Sequence, residues 1–443
     1  MNKSIIHIAL PAIVANITVP LLGLIDTGIS GHLGKTEYIG AISVGTMMFN
    51  IIYWNFGFLR MGTSGITAQA FGAANFTQAA TTLVRAVSLA LLIALAIIVL
   101  QFPLQWIALE VISPSPEVLS LAQRYFYICV WNAPAILATM AIHGWFLGMQ
   151  DSTRPMYISI AVNIANIIIS FTTVFVLDMG FIGIAIGTVL ASYIGLALGL
   201  YFIFTRHKVI LRGINPREAL RFSDMRQFFN VNRDIFVRSL CLMLVTLFFT
   251  AQGARDGDVT LAANTIIMQL FILFSYFMDG FAFAGEALVG KFTGAGDDTN
   301  RARCIKALFV WGAVIALCLT AVYATGLNRI FTILTNDSEV ITYAMDFYLW
   351  SVAIPFASVA AFVWDGIYIG LTATRGMLIS ITTASVSYFL VFFLLPEDLG
   401  NHKLWCAFIT YLAMRGITQT IHTPASPATT PDCYESFAQN IVK

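Results

Sequence analysis

Four carboxylates stand where carboxylates are expensive. Asp26, Asp279, Glu286 and Asp365 each sit inside a run of apolar residues long enough to cross a bilayer. On insertion scales a charged side chain at the centre of a spanning helix costs about 2.5–3.5 kcal/mol. Such a residue lies near a helix end, is tied into a structural hydrogen bond, or handles a charge that moves. Glu286, close to Lys291 at the end of its run, fits the first reading as well as the last, and Asp346 fits the first. Asp26 and Asp365 lie deep among glycines and apolar residues, and there a functional role is expected. A second, neutral constellation accompanies them. Asn163, Asn166 and Ser170 have i, i+3 and i+7 spacing and share one helix face, and the next apolar run adds Thr188 and Ser192. A carboxylate with amide and hydroxyl oxygens is what a small hard cation needs, because each oxygen replaces part of its hydration shell. The competing reading is hydrogen bonding between helices, worth ~0.6–2 kcal/mol per contact. The stripe alone does not decide between them.

The elements that must position these residues follow from composition. Of 443 residues, 58% are hydrophobic and 11% are charged. Soluble domains carry about 25% charged residues, and a chain this apolar could not cover itself in water. A bilayer accepts it, since a crossing needs ~20 apolar residues per helix. The apolar runs predict about twelve spans: 6–30, 38–60, 86–110, 120–147, 156–177, 181–204, 236–254, 262–289, 305–326, 340–369, 376–396 and 404–421. They lack the period-2 alternation of a membrane β-barrel. The first run carries Pro11 and Pro20, each a point where the backbone ladder is broken and a helix can bend. No A-x-A cleavage site follows the N-terminus, so the first run is expected to stay as a helix.

Other chemistries lack support. The six cysteines, Cys129, Cys241, Cys304, Cys318, Cys406 and Cys433, show no C-x-x-C spacing, and the six histidines form no ligand motif. No cofactor is expected. The formal net charge is +1 with no basic block, so nucleic acid is set aside. A membrane-embedded enzyme would need converging His/Asp or Ser/His pairs, and none is visible. Neither is a filter-like channel motif.

Lysine and arginine set the expected orientation. Arg206, Lys208, Arg212, Arg217, Arg221, Arg226 and Arg233 crowd one connection, and Lys291, Arg301, Arg303 and Lys306 another. The connections near 111–117 and 178–180 have no basic residue. The positive-inside rule then puts both termini and the central linker in the cytoplasm.

The chain also repeats itself. The stretch GWFLGMQDSTRPMYIS from Gly144 resembles GIYIGLTATRGMLIS from Gly366. Gly144 pairs with Gly366 and Gly148 with Gly370 at an offset of 222. Arg154 with Arg375, Met156 with Met377, Pro134 with Pro355 and Tyr127 with Tyr348 give 221. GAAN from Gly72 matches GAGD from Gly294 at 222. Concordant offsets in separate segments indicate two similar halves. The expected architecture is all-α and membrane-integral, with two pseudo-symmetric six-helix bundles. Residues 1–205 form the first lobe, 206–233 a cytoplasmic linker, 234–421 the second lobe, and 422–443, rich in Pro and Thr, a disordered cytoplasmic tail. An even helix count per half relates the halves by an axis along the membrane normal, with a cavity between them and alternating access as the mode of action.

Several motifs resemble those of the multidrug and toxic compound extrusion (MATE) family, in the subfamily named for a DNA-damage-inducible bacterial protein. They are ALPA from Ala9 with PLLGLIDTGISGHLG from Pro20, FLRMGTSGITAQAFGA from Phe58, HGWFLGMQ from His143, MDGFAFAGEALVGK from Met278 and WDGIYIGLT from Trp364. The resemblance runs to about residue 421. It implies an antiporter of the bacterial inner membrane that exchanges inward Na+ or H+ for outward export of small organic, cationic or amphipathic compounds, and a monomer is expected. By resemblance Asp26, Asn166 and Thr188 match the first lobe's cation site, where Na+ could bind, with Ser170 beside them. Asp365 matches a second-lobe carboxylate, and Asp279 and Glu286 match the pattern of the eighth helix. Arg60 and Gln69, with Asn163, are further polar candidates for the cavity. Two departures stand out. Ser170 replaces an aspartate usual in related proteins, which leaves the ion and the stoichiometry open, and Cys129 stands where an arginine is expected. The alternative within the superfamily is a flippase of lipid-linked precursors. That function calls for a cavity rich in arginine, and here Arg60 is the nearest such residue.

Overall fold

The computed structural model describes residues 1–31, 36–112, 114–208 and 226–422. Among these residues there is no strand. In chain order the helices are α1 (Asn2–Gly31), α2 (Thr36–Trp54), α3 (Phe58–Gly72), α4 (Phe76–Val99), α5 (Gln101–Ile112), α6 (Pro116–Cys129), α7 (Ala133–Gly148), α8 (Thr153–Phe171) and α9 (Phe181–Arg206). Then come α10 (Arg226–Arg255), α11 (Asp258–Gly294), α12 (Asp298–Leu334), α13 (Ser338–Met345), α14 (Tyr348–Gly370), α15 (Thr374–Leu394) and α16 (Asn401–Ile421). Several spans are compound. α2 passes through a 3-10 turn at Asn55–Gly57 into α3, α6 through Val130–Asn132 into α7, and α8 ends in a π-turn at Thr172–Val176. α4 and α5 follow end to end across the run read as 86–110, and α13 and α14 across that read as 340–369, so taken run by run the described helices number the twelve that the apolar runs predict.

The boundaries depart from the apolar runs for a physical reason. The run read as 38–60 continues to Gly72, because Gly62, Thr63, Ser64, Gly65, Thr67, Ala68 and Ala70 are all buried. These small and hydroxylated residues score low in hydropathy, yet they suit a close helix contact. α16 is likewise too polar to stand among the helices picked out by hydropathy alone, since Arg415, Thr418 and Gln419 are buried inside it.

The chain divides into two compact units, one spanning Asn2–Ser239 and one from Leu240 onward. The break falls within α10. Residues 209–225 of the connection, and all but His422 of the tail, lie outside the described residues. In the first unit Phe49 stacks on Phe126 at 5.0 Å, and the buried Trp145 indole donates to the Ala79 carbonyl at 2.9 Å. In the second, Asn264 and Asn401 exchange amide hydrogen bonds at 2.9 and 2.8 Å. Trp405 adds a third bond to Asn264 Oδ1 at 2.8 Å. Outward-facing Leu92, Phe102, Leu317, Phe356 and Phe393 are exposed, as a lipid-facing surface requires.

The sequence repeat is also a repeat of geometry within each unit. A Cβ on Gly144 of α7 would lie 2.2 Å from the Arg60 carbonyl oxygen of α3. A Cβ on Gly366 of α14 would lie 2.2 Å from the Ala282 carbonyl oxygen of α11. Residues 60 and 282 are themselves 222 apart, so the same backbone contact is built twice. The matched turns agree too. Ala74 (φ 54°) precedes Asn75, whose Oδ1 accepts from the Gln78 N–H at 3.0 Å. Gly296 (φ 67°) precedes Asp297, whose Oδ1 accepts from the Asn300 N–H at 2.9 Å. Each thus caps the helix that follows. The Asn300 backbone and side-chain N–H groups hold the Asp297 carboxyl below its usual range.

Candidate functional site

In the first unit, α8 and α9 approach closely because glycines of α9 face polar residues of α8. A Cβ on Gly187 would lie 2.2 Å from Ser170 Oγ, and one on Gly183 would lie 2.9 Å from Thr173 Oγ1. The Thr173 hydroxyl bonds to the Gly183 carbonyl at 2.8 Å and to that of Ile169 at 2.8 Å. Above this contact Asn166 Nδ2 donates to Thr188 Oγ1 at 3.1 Å, and the Thr188 hydroxyl donates to the Ile184 carbonyl at 3.1 Å. Asn166 is 1% exposed and Ser170 fully buried, yet among the described residues Asn166 Oδ1 and Ser170 Oγ have no hydrogen-bond partner. Leaving a buried polar group unpaired costs about 1–3 kcal/mol. Two such oxygens, four residues apart on one face and beside the Thr188 hydroxyl, form a preorganised set of neutral donors suited to a hard cation.

The same face of α8 is tied to α1. Asn163 Nδ2 donates to the Thr18 carbonyl of α1 at 3.2 Å. From Thr18 to Asp26 a helix rises about 12 Å, and from Asn163 to Ser170 about 10.5 Å. The first and fifth spans run the same way through the membrane, so Asp26 stands near the level of Ser170. The Asp26 side chain lies outside the described residues. Of the other polar candidates, Arg60 and Gln69 are half-buried at opposite ends of α3.

In the second unit the arrangement is different in kind. Asp365 of α14 is 8% exposed and Arg415 of α16 is 4% exposed. Arg415 Nη2 donates to Asp365 Oδ2 at 2.8 Å, and Gln419 Nε2 donates to Asp365 Oδ1 at 2.7 Å. The guanidinium also lies over the Tyr411 ring at 5.6 Å and the Phe362 ring at 6.0 Å. Trp364 Nε1 donates to Thr420 Oγ1 at 2.7 Å, and the Tyr368 hydroxyl to the Gln419 carbonyl at 2.8 Å. The charge of Asp365 is therefore met by a fixed partner inside the same unit, which is the structural role set beside the functional one for buried carboxylates. Glu286 is 1% exposed and Asp279 half-buried, both on α11 and two turns apart. Glu286 sits beside Gly370, whose added Cβ would lie 3.0 Å from the Glu286 carbonyl oxygen.

Sequence reasoning misses Arg415 and Gln419, although a signal exists. An arginine within an apolar run, four residues before a glutamine, stands out as sharply as a carboxylate does. It also misses His143, which at the 222 offset holds in the first unit the position that Asp365 holds in the second. Among the described residues His143 Nε2 has no hydrogen-bond partner. Among the described residues no three His, Cys, Asp or Glu side chains come close enough to share a metal ion.

Comparison with known proteins accords with this architecture. The MatE family model matches residues 11–172 and 235–394. The chain is 37% identical over 420 residues to DNA damage-inducible protein F of Escherichia coli (strain K12), covering 94% of this chain and 91% of that one. It is 26% identical over 349 residues to multidrug and toxin extrusion protein 1 of Danio rerio, covering 76% of this chain and 57% of that one. A crystal structure of MATE in the bent conformation superposes with a TM-score of 0.85 at 17% identity, over 95% of this chain and 94% of that one. An outward-facing multidrug resistance MATE family transporter superposes with a TM-score of 0.79 at 18% identity, over the same shares.

Proposed function

The chain belongs to the MatE family of membrane transporters, and from that premise we propose that it is a cation-coupled antiporter of the bacterial inner membrane. In this reading it takes in Na+ or H+ and exports small organic compounds, cationic or amphipathic, by alternating access. It acts as a monomer with both termini in the cytoplasm. The observation that carries the reading is the pair of buried oxygens, Asn166 Oδ1 and Ser170 Oγ, that stand beside Thr188 without partners among the described residues.

The mechanism follows from the cost of charge in a span. An empty site leaves Asp26 ionised in an apolar helix and the α8 oxygens unpaired. A cation entering the site neutralises the carboxylate and satisfies those oxygens together. α1 carries Pro11 and Pro20, each lacking an N–H and weakening the helical ladder. Occupancy at Asp26, six residues after Pro20, then favours one bend of α1 over another. A ligand shifts such an equilibrium only by its differential affinity for the two states. Because Ser170 is neutral and Asp365 is already compensated by Arg415, the coupling cation is assigned to Asp26.

The test is export of a fluorescent organic cation from proteoliposomes, driven separately by an imposed proton gradient and an imposed sodium gradient. The expected result is transport with one gradient and its loss in Asp26→Asn. An Asp26→Asn protein that exports at the full rate with unchanged ion dependence refutes the mechanism.

A further inference from the structure

At the end of the first unit that holds the N-terminus of α1, a cavity of about 530 Å³ opens between α1, the α7–α8 turn and the C-terminus of α9. Its polar lining includes His7, Asp151, Arg154 and Arg206. The turn is fastened to α1 by the Ser152 hydroxyl, which donates to the His7 carbonyl at 3.3 Å. Asp151 is fully committed. Its Oδ1 accepts from the Thr153 and Arg154 N–H groups at 3.1 and 3.2 Å, and its Oδ2 pairs with the Arg154 guanidinium. Arg206 is exposed and has no carboxylate partner among the described residues. Two guanidinium groups therefore face one cavity whose single carboxylate is spent. Burial first, and then the Arg154 charge, hold the neighbouring His207 imidazole below its usual pKa. That second contribution is the mark of a positive potential at this end.

The surroundings locate the cavity relative to lipid. Tyr157, which lines it, is 53% exposed, and Tyr201 and Phe204 on the adjacent turn of α9 are 60% and 59% exposed. Aromatic side chains exposed beside arginines at the ends of spanning helices mark the headgroup layer. Basic pockets at that depth recognise anionic headgroups.

We propose that this cavity binds a phosphate group between Arg154 and Arg206, supplied by an anionic phospholipid of the adjoining leaflet or by a free phosphate anion. Arg206 supplies the uncommitted charge, and Arg154, held in place by Asp151, the oriented one. The cytoplasmic assignment of this leaflet rests on the orientation proposed above, whereas the binding itself does not depend on transport.

The experiment uses the purified full-length protein. Retention of phosphatidylglycerol and of phosphatidylcholine is measured by native mass spectrometry for the wild type and for Arg206→Gln, a change at an exposed side chain. Melting temperature is followed in inorganic phosphate against sodium chloride of equal ionic strength. The expected result is preferential retention of phosphatidylglycerol, weakened about fivefold in Arg206→Gln and further in Arg154→Gln. Stabilisation of the wild type by inorganic phosphate, lost in Arg206→Gln and without lipid preference, assigns the site to a free anion instead. Identical behaviour of wild type and Arg206→Gln toward both lipids and phosphate overturns the proposal, whatever the outcome of the transport assay.

Discussion

Replacing Arg415 by glutamine tests the contrast between the two units most directly. The change removes the 2.8 Å partner of Asp365 Oδ2 and leaves the Gln419 amide at 2.7 Å on the other oxygen. Asp365 is 8% exposed, so water does not replace the lost guanidinium. Breaking a buried ion pair from one side costs about 3–5 kcal/mol, because the remaining charge is left uncompensated. The contacts with Tyr411 and Phe362 are lost as well. For a unit of this size such a loss lowers the melting temperature by about 10 °C. The double variant Asp365→Asn with Arg415→Gln removes both charges and keeps a hydrogen-bonding amide at each position, so it is expected to regain most of the loss. Melting curves of the four proteins in one detergent close a double-mutant cycle. Additive losses, or an Arg415→Gln protein as stable as the wild type, would refute the view that Arg415 is the resident counter-ion of Asp365.

Two further outcomes follow from the packing. Ser170→Ala removes one unpaired oxygen without adding volume beside Gly187, so the cation concentration for half-maximal transport is expected to rise about tenfold, on the scale of one lost polar contact. Without added cation the melting temperature is expected to rise by a few degrees, because a buried unpaired oxygen is removed, and an unaltered cation dependence in proteoliposomes removes Ser170 from the site. Gly366→Ala forces a Cβ to within 2.2 Å of the Ala282 carbonyl oxygen, a backbone atom that cannot rotate away. The expected cost is about 1–3 kcal/mol. Gly326→Ala, at an α12 position with nothing within 4 Å of the added Cβ, is expected to be neutral or stabilising by up to ~1 kcal/mol. Equal melting temperatures for the two alanine variants would contradict the close contact of α11 and α14.

Much of this molecule is legible in its amino-acid sequence. Membrane insertion follows from 11% charge in 443 residues, a quantity that no fold can alter. The helix count follows from apolar runs whose length the bilayer dictates. The repeat is readable because glycines at helix contacts are constrained by backbone approach. Gly144 and Gly366 keep their places since any Cβ there meets a carbonyl. The stripe Asn163, Asn166 and Ser170 is visible because helical periodicity alone puts i, i+3 and i+7 on one face.

Which of those polar groups are satisfied is settled by packing alone. Periodicity places a side chain on a face and says nothing of the helix opposite. Asp365 and Arg415 are fifty residues apart in the chain and 2.8 Å apart in space, a pairing that depends on how α14 and α16 pack. Asn163 finds its acceptor in the Thr18 carbonyl of another helix, while Asn166 Oδ1 and Ser170 Oγ have no partner among the described residues. The continuation of α3 to Gly72 escapes a hydropathy reading for the same reason, because its small polar residues are buried by α7 rather than by lipid. Composition and period report the solvent a segment prefers and the face a residue occupies. Whether a buried charge is compensated or waiting for a ligand is a property of the pair, and pairs exist only once the helices have met.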